Sequence, residues 1–491
     1  MSRRRILVLA AATALAASSF PALAAQAAPS PTVSSTASVP ARNVLAAYSL
    51  VVPREVAGSG LITRAVLPGG LGCPLLDATV KSGKGTKKVR ITMTARRAGS
   101  TTQDAFHTLL VCEARMPKGA TSASVAGRSI PAAMPATVDR IAVFGDSGCR
   151  LKGSAIQACN DPQEWPLALN ARSIVRDRPD MAIFLGDFFY REQACPAANS
   201  ALCGGSPAPL AGVPFTDSAW GWVADVFVPM APLFQALPLH VIRGNHELCT
   251  KGGNGYFLFF DPAFGTSKAC APTPEGVAPV VNSPTTSVDL AVAGGRTLRL
   301  ISVDSSNGVD DAIDDTIAAS LRPLYVEADR QARGADEAWL LTHRPITAIV
   351  SSTYLPSPPG AATPWTSLTN TFASSGLLGR YDLMLSSHLH LAQAVQIPGL
   401  PGEIVLGNAG ALLDAPTGYE IPEFGPLADA NGVPLTTAVP QIPTAQSITT
   451  WVRYGYALAT PAKSGWDFEM KGVDGTRFAT CRAGSGDLVC S

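Results

Sequence analysis

Only six histidines occur in the 491 residues, and four of them stand in short polar motifs at the ends of apolar runs. In chain order the motifs are Gly145-Asp146-Ser147-Gly148, Gly186-Asp187-Phe188-Phe189-Tyr190, Gly244-Asn245-His246-Glu247, Thr342-His343-Arg344-Pro345 and Ser387-His388-Leu389-His390. Each has an ordinary reading when taken alone. Gly-Asp and Gly-Asn suit tight turns, a single His343 suits a hydrogen-bonded core position, and Tyr190 suits a half-buried aromatic one. His388 and His390 are less ordinary, because in an extended chain both side chains leave the same face, as joint ligation of a metal requires. Together the motifs offer carboxylates, a phenol, an amide oxygen and imidazoles, a donor set for hard and borderline metal cations. No CxxC pair occurs, so a cysteine metal cluster is set aside.

Such groups act together only if the fold gathers them. From Val138 onward, buried apolar strands alternate with amphipathic stretches, the layout of an α/β domain. The expected strands are Arg140–Phe144, Met181–Leu185, Pro238–Ile242, Leu298–Val303, Ala338–Leu341, Tyr381–Leu385 and Glu403–Leu406, with helices around 164–177, 218–235, 311–333 and 366–376. Each motif falls at the carboxyl end of one of these strands, and in open α/β sheets the loops leaving that edge converge on the ligand crevice. Five motifs on one sheet edge outweigh the separate structural readings.

The set resembles the calcineurin-like metallophosphoesterases over roughly residues 138 to 412, and within them the purple acid phosphatases. The narrower resemblance rests on Asp146-Ser147-Gly148, where the superfamily usually has Asp-x-His, and on Tyr190 three residues after Asp187. It implies an α/β fold of the four-layer metallophosphoesterase type, a β-sandwich flanked by helices, preceded by a small N-terminal all-β sandwich domain. It also implies two metal ions. One, Fe(III), would be held by Asp146, Tyr190, His390 and a shared Asp187; the other, Zn, Fe(II) or Mn(II), by Asp187, Asn245, His343 and His388. Anionic oxygen ligands suit the trivalent ion, and imidazoles with an amide oxygen suit the divalent one.

The implied reaction is hydrolysis of small phosphate monoesters by a metal-bound hydroxide, with two cations roughly 3.5–4 Å apart activating water and clamping the phosphoryl oxygens. His246 would contact the phosphate or protonate the leaving oxygen. Ser387 stands where the family usually has Gly. The outer-sphere histidine common in purple acid phosphatases has no obvious counterpart, since only His107 and His240 remain. A phosphodiesterase or nucleotidase of the same superfamily is the nearest alternative, and a non-catalytic secreted binding protein is the alternative of another class.

The remaining chain sets the context. Residues 1–27 combine Arg3, Arg4 and Arg5 with the apolar run Ile6–Ala17 and small-residue steps to Ala27, the layout of a secretory signal peptide. Its apolar run is shorter than the roughly 20 residues that span a bilayer. A secreted or periplasmic protein without a membrane anchor is expected. Residues 28–42 form an Ala/Ser/Pro/Thr linker. Residues 43–135 show the short alternating segments of the N-terminal β-sandwich domain, and residues 136–491 form the catalytic domain, whose alternating tail from Trp451 is expected to complete a second sheet packed on the first. Residues 350–365 and 414–446 read as surface loops. Ten cysteines fit an oxidising compartment, the simplest pairs being Cys149 with Cys159, Cys195 with Cys203, Cys249 with Cys270 and Cys481 with Cys490, leaving Cys73 and Cys112. With 38 Lys and Arg against 37 Asp and Glu, no polybasic surface for nucleic acid or membrane is implied.

Overall fold

The computed structural model describes residues 39–96, 103–206, 217–265, 268, 270, 281–308, 314–351, 362–364, 380–414 and 447–491, and the chain from residue 38 onward forms one compact unit. The expected leader, most of the linker, the helix at 366–376, most of the 350–365 loop and nearly all of the 414–446 loop lie outside the described residues.

Three parallel strands, β1 (Ile141–Phe144), β2 (Met181–Phe184) and β3 (Leu239–Val241), occupy the middle of an 11-stranded sheet. Four more, β4 (Arg296–Ser302), β5 (Glu337–Leu341), β6 (Leu383–Ser386) and β7 (Glu403–Leu406), run parallel within a seven-stranded sheet. Their side chains alternate between faces, as strand geometry dictates. Ile141, Val143, Met181 and Ile183 join Leu298, Leu300, Trp339, Leu341, Leu383 and Leu385 in a core between the sheets. The opposite face of the first sheet, with Ala142, Phe144, Ala182 and Phe184, packs on Leu167, Ala171 and Ile174 of helix α1 (Leu167–Asp177). On the second sheet, Ile301, Ala338, Leu340 and Met384 meet Leu321, Tyr325 and Ala328 of helix α2 (Asp315–Ala332). The layers are helix, sheet, sheet, helix. Strands covered on both faces need no polar alternation, which is why they read as apolar runs.

The tail departs from expectation. Strands Gly455–Pro461, Trp466–Gly472, Arg477–Gly484 and Asp487–Cys490 extend the first sheet from the free side of β1, with Leu458 opposite Ala142, and only Ser447–Trp451 edges the second sheet. Alternation specifies a half-buried strand but not which sheet edge receives it. The expected helix at 218–235 is broken into Ala219–Trp222, a π-turn Val223–Phe227 and Ala231–Ala236, because Pro229 removes a backbone donor.

The N-terminal segment is all-β. Strands Ala46–Val51, Leu61–Pro68, Leu109–Arg115 and Thr94–Ala95 continue the first sheet beyond β3, while Leu75–Ser82, Gly85–Thr92, Ala120–Val125 and Arg128–Ile130 make a separate four-stranded sheet. Residues on both sides of position 135 therefore share one sheet. A buried ion cluster fastens this edge: Arg64 donates to Phe259 O (2.7 Å) and Asp261 O (2.6 Å), Arg96 donates to Phe257 O (2.9 Å), and both pair with Glu113 at 3.3 and 3.2 Å. All five disulfides follow the short-range pairing, with Cys73–Cys112 the fifth. Among the described residues no helix is long and apolar enough to cross a membrane.

Replacing Glu113 strands two buried guanidinium groups without their shared carboxylate. Glu113→Ala is expected to lower the free energy of unfolding by about 3–5 kcal/mol in urea denaturation, and an unchanged midpoint would show that the cluster does not fasten the edge.

Candidate metal centre

The parallel strands end in step. Phe144, Phe184 and Val241 are in register across β1, β2 and β3, and Leu341 is opposite Leu385 across β5 and β6. The next few residues are the five motifs, so the side chains at Asp146, Asp187, Tyr190, Asn245, His246, His343, His388 and His390 meet in one cluster, all but His388 buried.

The loops are tight enough to force unusual backbone. Asp146, Asp187 and His388 have φ of 56°, 62° and 73°, in the left-handed region that costs non-glycine residues of order 1–3 kcal/mol each. At Gly244 a Cβ would fall 2.0 Å from Asp187 Oδ1, so the carboxylate can turn inward only past a glycine. The fully buried Glu247 carboxylate gathers the loops by accepting from the backbone N–H of Asp187 (2.9 Å), Phe188 (2.8 Å) and Gly244 (3.0 Å). Burial, with the Asp187 charge beside it, raises its pKa to about 8.

At the first end of the cluster the Tyr190 hydroxyl lies against Asp146 Oδ1, 2.7 Å from Asp187 Oδ2 and 2.9 Å from His390 Nε2. His390 Nδ1–H donates to Leu412 O at 2.7 Å, leaving a lone pair on Nε2. One phenolic proton faces three acceptors. Burial and the two carboxylates hold that proton on, well above the usual phenol range.

At the second end His343 Nδ1–H donates to Leu185 O at 2.8 Å, while Nε2 lies 2.8 Å from Asn245 Oδ1 and 3.2 Å from Asp187 Oδ2. Asn245 Oδ1 and Asp187 Oδ2 both accept here, and Nε2 joins them as a third lone pair once it gives up its proton. Burial alone would depress the imidazolium, but Asp187 overrides it and lifts the His343 pKa to about 9. Burial likewise opposes ionisation of Asp187, yet the charged His343 beside it holds it well below the carboxylate range. Asp187, His343 and His388 each offer an atom within 4.8 Å of the others. Convergent acceptors with too few protons are what bound cations satisfy, so the residues fit a metal pair that shares Asp187.

His388 and His390 do not lie in an extended strand as expected. The segment turns at His388, whose N–H donates to Asp146 Oδ2 at 2.7 Å. His388 faces His343, with ring centroids 5.1 Å apart, and His390 faces Tyr190 at the same separation. The pair divides between the two ends of the cluster instead of sharing one face.

Around these residues stand His246, expected to contact the phosphate, and groups that motif reading left without roles. His246 packs its ring on Tyr190 at 3.9 Å, gives its backbone N–H to Asp187 Oδ1 at 2.7 Å, and has Nδ1 3.6 Å from Glu192 Oε1; burial keeps it neutral. Arg150 and Arg344 approach His390 and His388. Glu247 and Arg344 sat inside quoted motifs, whereas Arg150 and Glu192 carried no spacing signal. Ser387 Oγ lies 2.8 Å from Leu185 O and 2.9 Å from His343 Nδ1, and its Cβ occupies the space beside Gly145. The hydroxyl that departs from the family pattern thus braces His343.

Calcineurin-like phosphoesterases as a family match residues 139–392, more than half of the chain, and the chain belongs to that family. Its members are phosphoric ester hydrolases with a dinuclear metal centre. No curated protein matches the sequence. Among solved structures, one titled PhoD superposes with a TM-score of 0.53 at 12% identity, covering 93% of each chain, and shares the fold. A purple acid phosphatase from yellow lupin (Lupinus luteus) seeds has a TM-score of 0.48 at 12% identity, over 85% of this chain and 71% of that one.

Ser387→Gly removes the brace on His343 and is expected to weaken metal affinity about 10–100-fold in a chelator competition. Asp187→Asn, at the shared position, is expected to lower the metal content by elemental analysis far more than Ser387→Gly does. Equal metal content in both would mean that Asp187 is not shared.

Proposed function

We propose that the protein is an exported phosphatase that hydrolyses phosphate monoesters at a two-metal centre. Asp146, Tyr190, His390 and Asp187 hold Fe(III), and Asp187, Asn245, His343 and His388 hold Zn, Fe(II) or Mn(II). The observation that carries this reading is the double convergence of acceptor atoms on Asp187. The phenol at one end favours the trivalent ion there. When bound, the metal pair supplies an acidified water and positive charge for the phosphoryl oxygens.

The protein's own groups do the rest. In the overall reaction the water oxygen bonds to phosphorus, the ester P–O bond breaks, and a proton passes to the departing alcohol. His246 is neutral because it is buried, so it would offer one N–H hydrogen bond to a phosphoryl or leaving oxygen, while the proton that reaches the alcohol comes from the attacking water. Its ring is held by Tyr190 beneath and by its own backbone bond to Asp187. Asp187, kept ionised by its neighbours, stays available as a ligand at low pH. Five disulfides and the leader pattern support export.

The test compares hydrolysis of an aryl phosphate monoester with that of the matching diester by the purified protein, with metals quantified. Preference for the monoester is expected, with kcat about 10²–10³-fold lower in His246→Ala that retains its metals. A visible charge-transfer band lost in Tyr190→Phe would mark ferric iron at the first position. A chain carrying about two metals that hydrolyses neither ester would overturn the assignment, and faster diester turnover would overturn the monoester preference.

A further inference from the structure

A second buried carboxylate supports the centre from the other sheet. Glu403 opens β7 opposite Met384 of β6, on the face that packs against α2, and it is fully buried. Its Oε1 accepts from Ser386 Oγ (2.6 Å) and from Ile346 N–H (3.0 Å), and its Oε2 accepts from Thr347 N–H and Thr347 Oγ1, both at 2.6 Å. These donors come from two segments. Ile346 and Thr347 directly follow Thr342-His343-Arg344-Pro345, and Ser386 directly precedes Ser387-His388-Leu389-His390. One carboxylate therefore clasps the loops that present His343 and His388.

Packing does not ask for a charge at this place. Ile301, Leu340, Ile346 and Met384 make an apolar layer against α2, where a carboxylate is costly to bury unless donors meet it. An apolar side chain would fill the volume without that cost. What the carboxylate adds is a fixed separation between two loops. The arrangement follows the sheets, since Glu247 ties the Asp187 and Gly244 loops of the first sheet whereas Glu403 ties loops of the second. His390, the one ligand of the first position that comes from the second sheet, has anchors of its own: its N–H donates to Asp414 Oδ2 at 2.9 Å and its Nδ1–H to Leu412 O at 2.7 Å.

We propose that Glu403 is a positioning residue for the second metal. It holds His343 and His388 at the separation that ion requires, so its loss releases the ion at that position and spares the one held by Asp146, Asp187, Tyr190 and His390. This rests on the two-metal reading and assigns to one of the two ions a residue outside the ligand set.

The test is graded chelator competition on the full chain, with metals counted by elemental analysis in the native protein, Glu403→Gln, Thr347→Val and Ser386→Ala, and folding checked by circular dichroism. The last two variants each cut one link and leave the carboxylate in place, so they decide the matter if Glu403→Gln does not fold. Affinity at one position is expected to fall about 10–100-fold in Glu403→Gln, and by a smaller factor in the link variants, with the other position unchanged. Added to Asn245→Ala, which removes a ligand of the second position alone, Glu403→Gln should cost no further metal; added to Tyr190→Phe, it should. Equal loss at both positions, or loss at neither, overturns the assignment. A native chain that holds no metal after reconstitution sinks the two-metal reading and the positioning role with it, whereas a native chain with two metals and an indiscriminate Glu403→Gln sinks the positioning role alone.

Discussion

Several lone pairs converging on too few protons are the constraint on which this structure depends. Asp187 stands at the centre, with one set of acceptors from Asp146, Tyr190 and His390 and another from Asn245 and His343. Without metals the cluster is held by the protons on Tyr190 and His343 and by backbone order spent around it. Three residues sit at positive φ, glycine is required where Asp187 turns inward, and the buried Glu247 ties the Asp187 and Gly244 loops through their N–H groups. A metal pair would take the place of those protons and satisfy the same lone pairs, so the cost in the scaffold and the gain on metal binding share one origin.

The sheets explain how so strained a cluster stays in place. Its loops leave strands in register, and those strands are buried on both faces between a helix layer and the other sheet. Distortion in any one loop would have to move a packed strand, which close packing resists. The N-terminal strands belong to this support, since they lengthen the same sheet and are pinned through Arg64 and Arg96 to the last turn of the Gly253–Phe259 helix and the segment after it. That helix follows shortly after Asn245 and His246, so the distant sheet edge and the centre are mechanically continuous.

Much of this was legible in the sequence because two periodic signals coincided. Apolar runs marked the strands that are covered on both sides, and a chemically distinctive motif followed five of the seven, so those strands and the side chains that meet at their ends could be named together. Local pattern carries less about partners chosen across the fold. The alternation of the tail was plain, yet it joined the first sheet. His388 and His390 have strand spacing, but the hydrogen bond from His388 N–H to Asp146 imposes a turn and sends the two rings to different ends. Pro229 was the local sign that the 218–235 helix would break. Arg150 had no sign at all, because its place beside the centre comes from loop closure over a long separation.

Ser387 shows how a departure from a pattern can be absorbed by geometry. A side chain at that position looked like an intrusion into a tight loop, yet Gly145 leaves the space for its Cβ, and its hydroxyl lies near both Leu185 O and His343 Nδ1. The same carbonyl fixes the His343 tautomer, so Nε2 is the nitrogen left facing Asp187 and Asn245. The hydroxyl's contribution is therefore directional: it limits rotation of an imidazole whose other nitrogen must stay in line with two oxygens, and outer contacts of this kind tune a metal site without touching the metal. A glycine there would leave Leu185 O as the ring's remaining anchor at Nδ1.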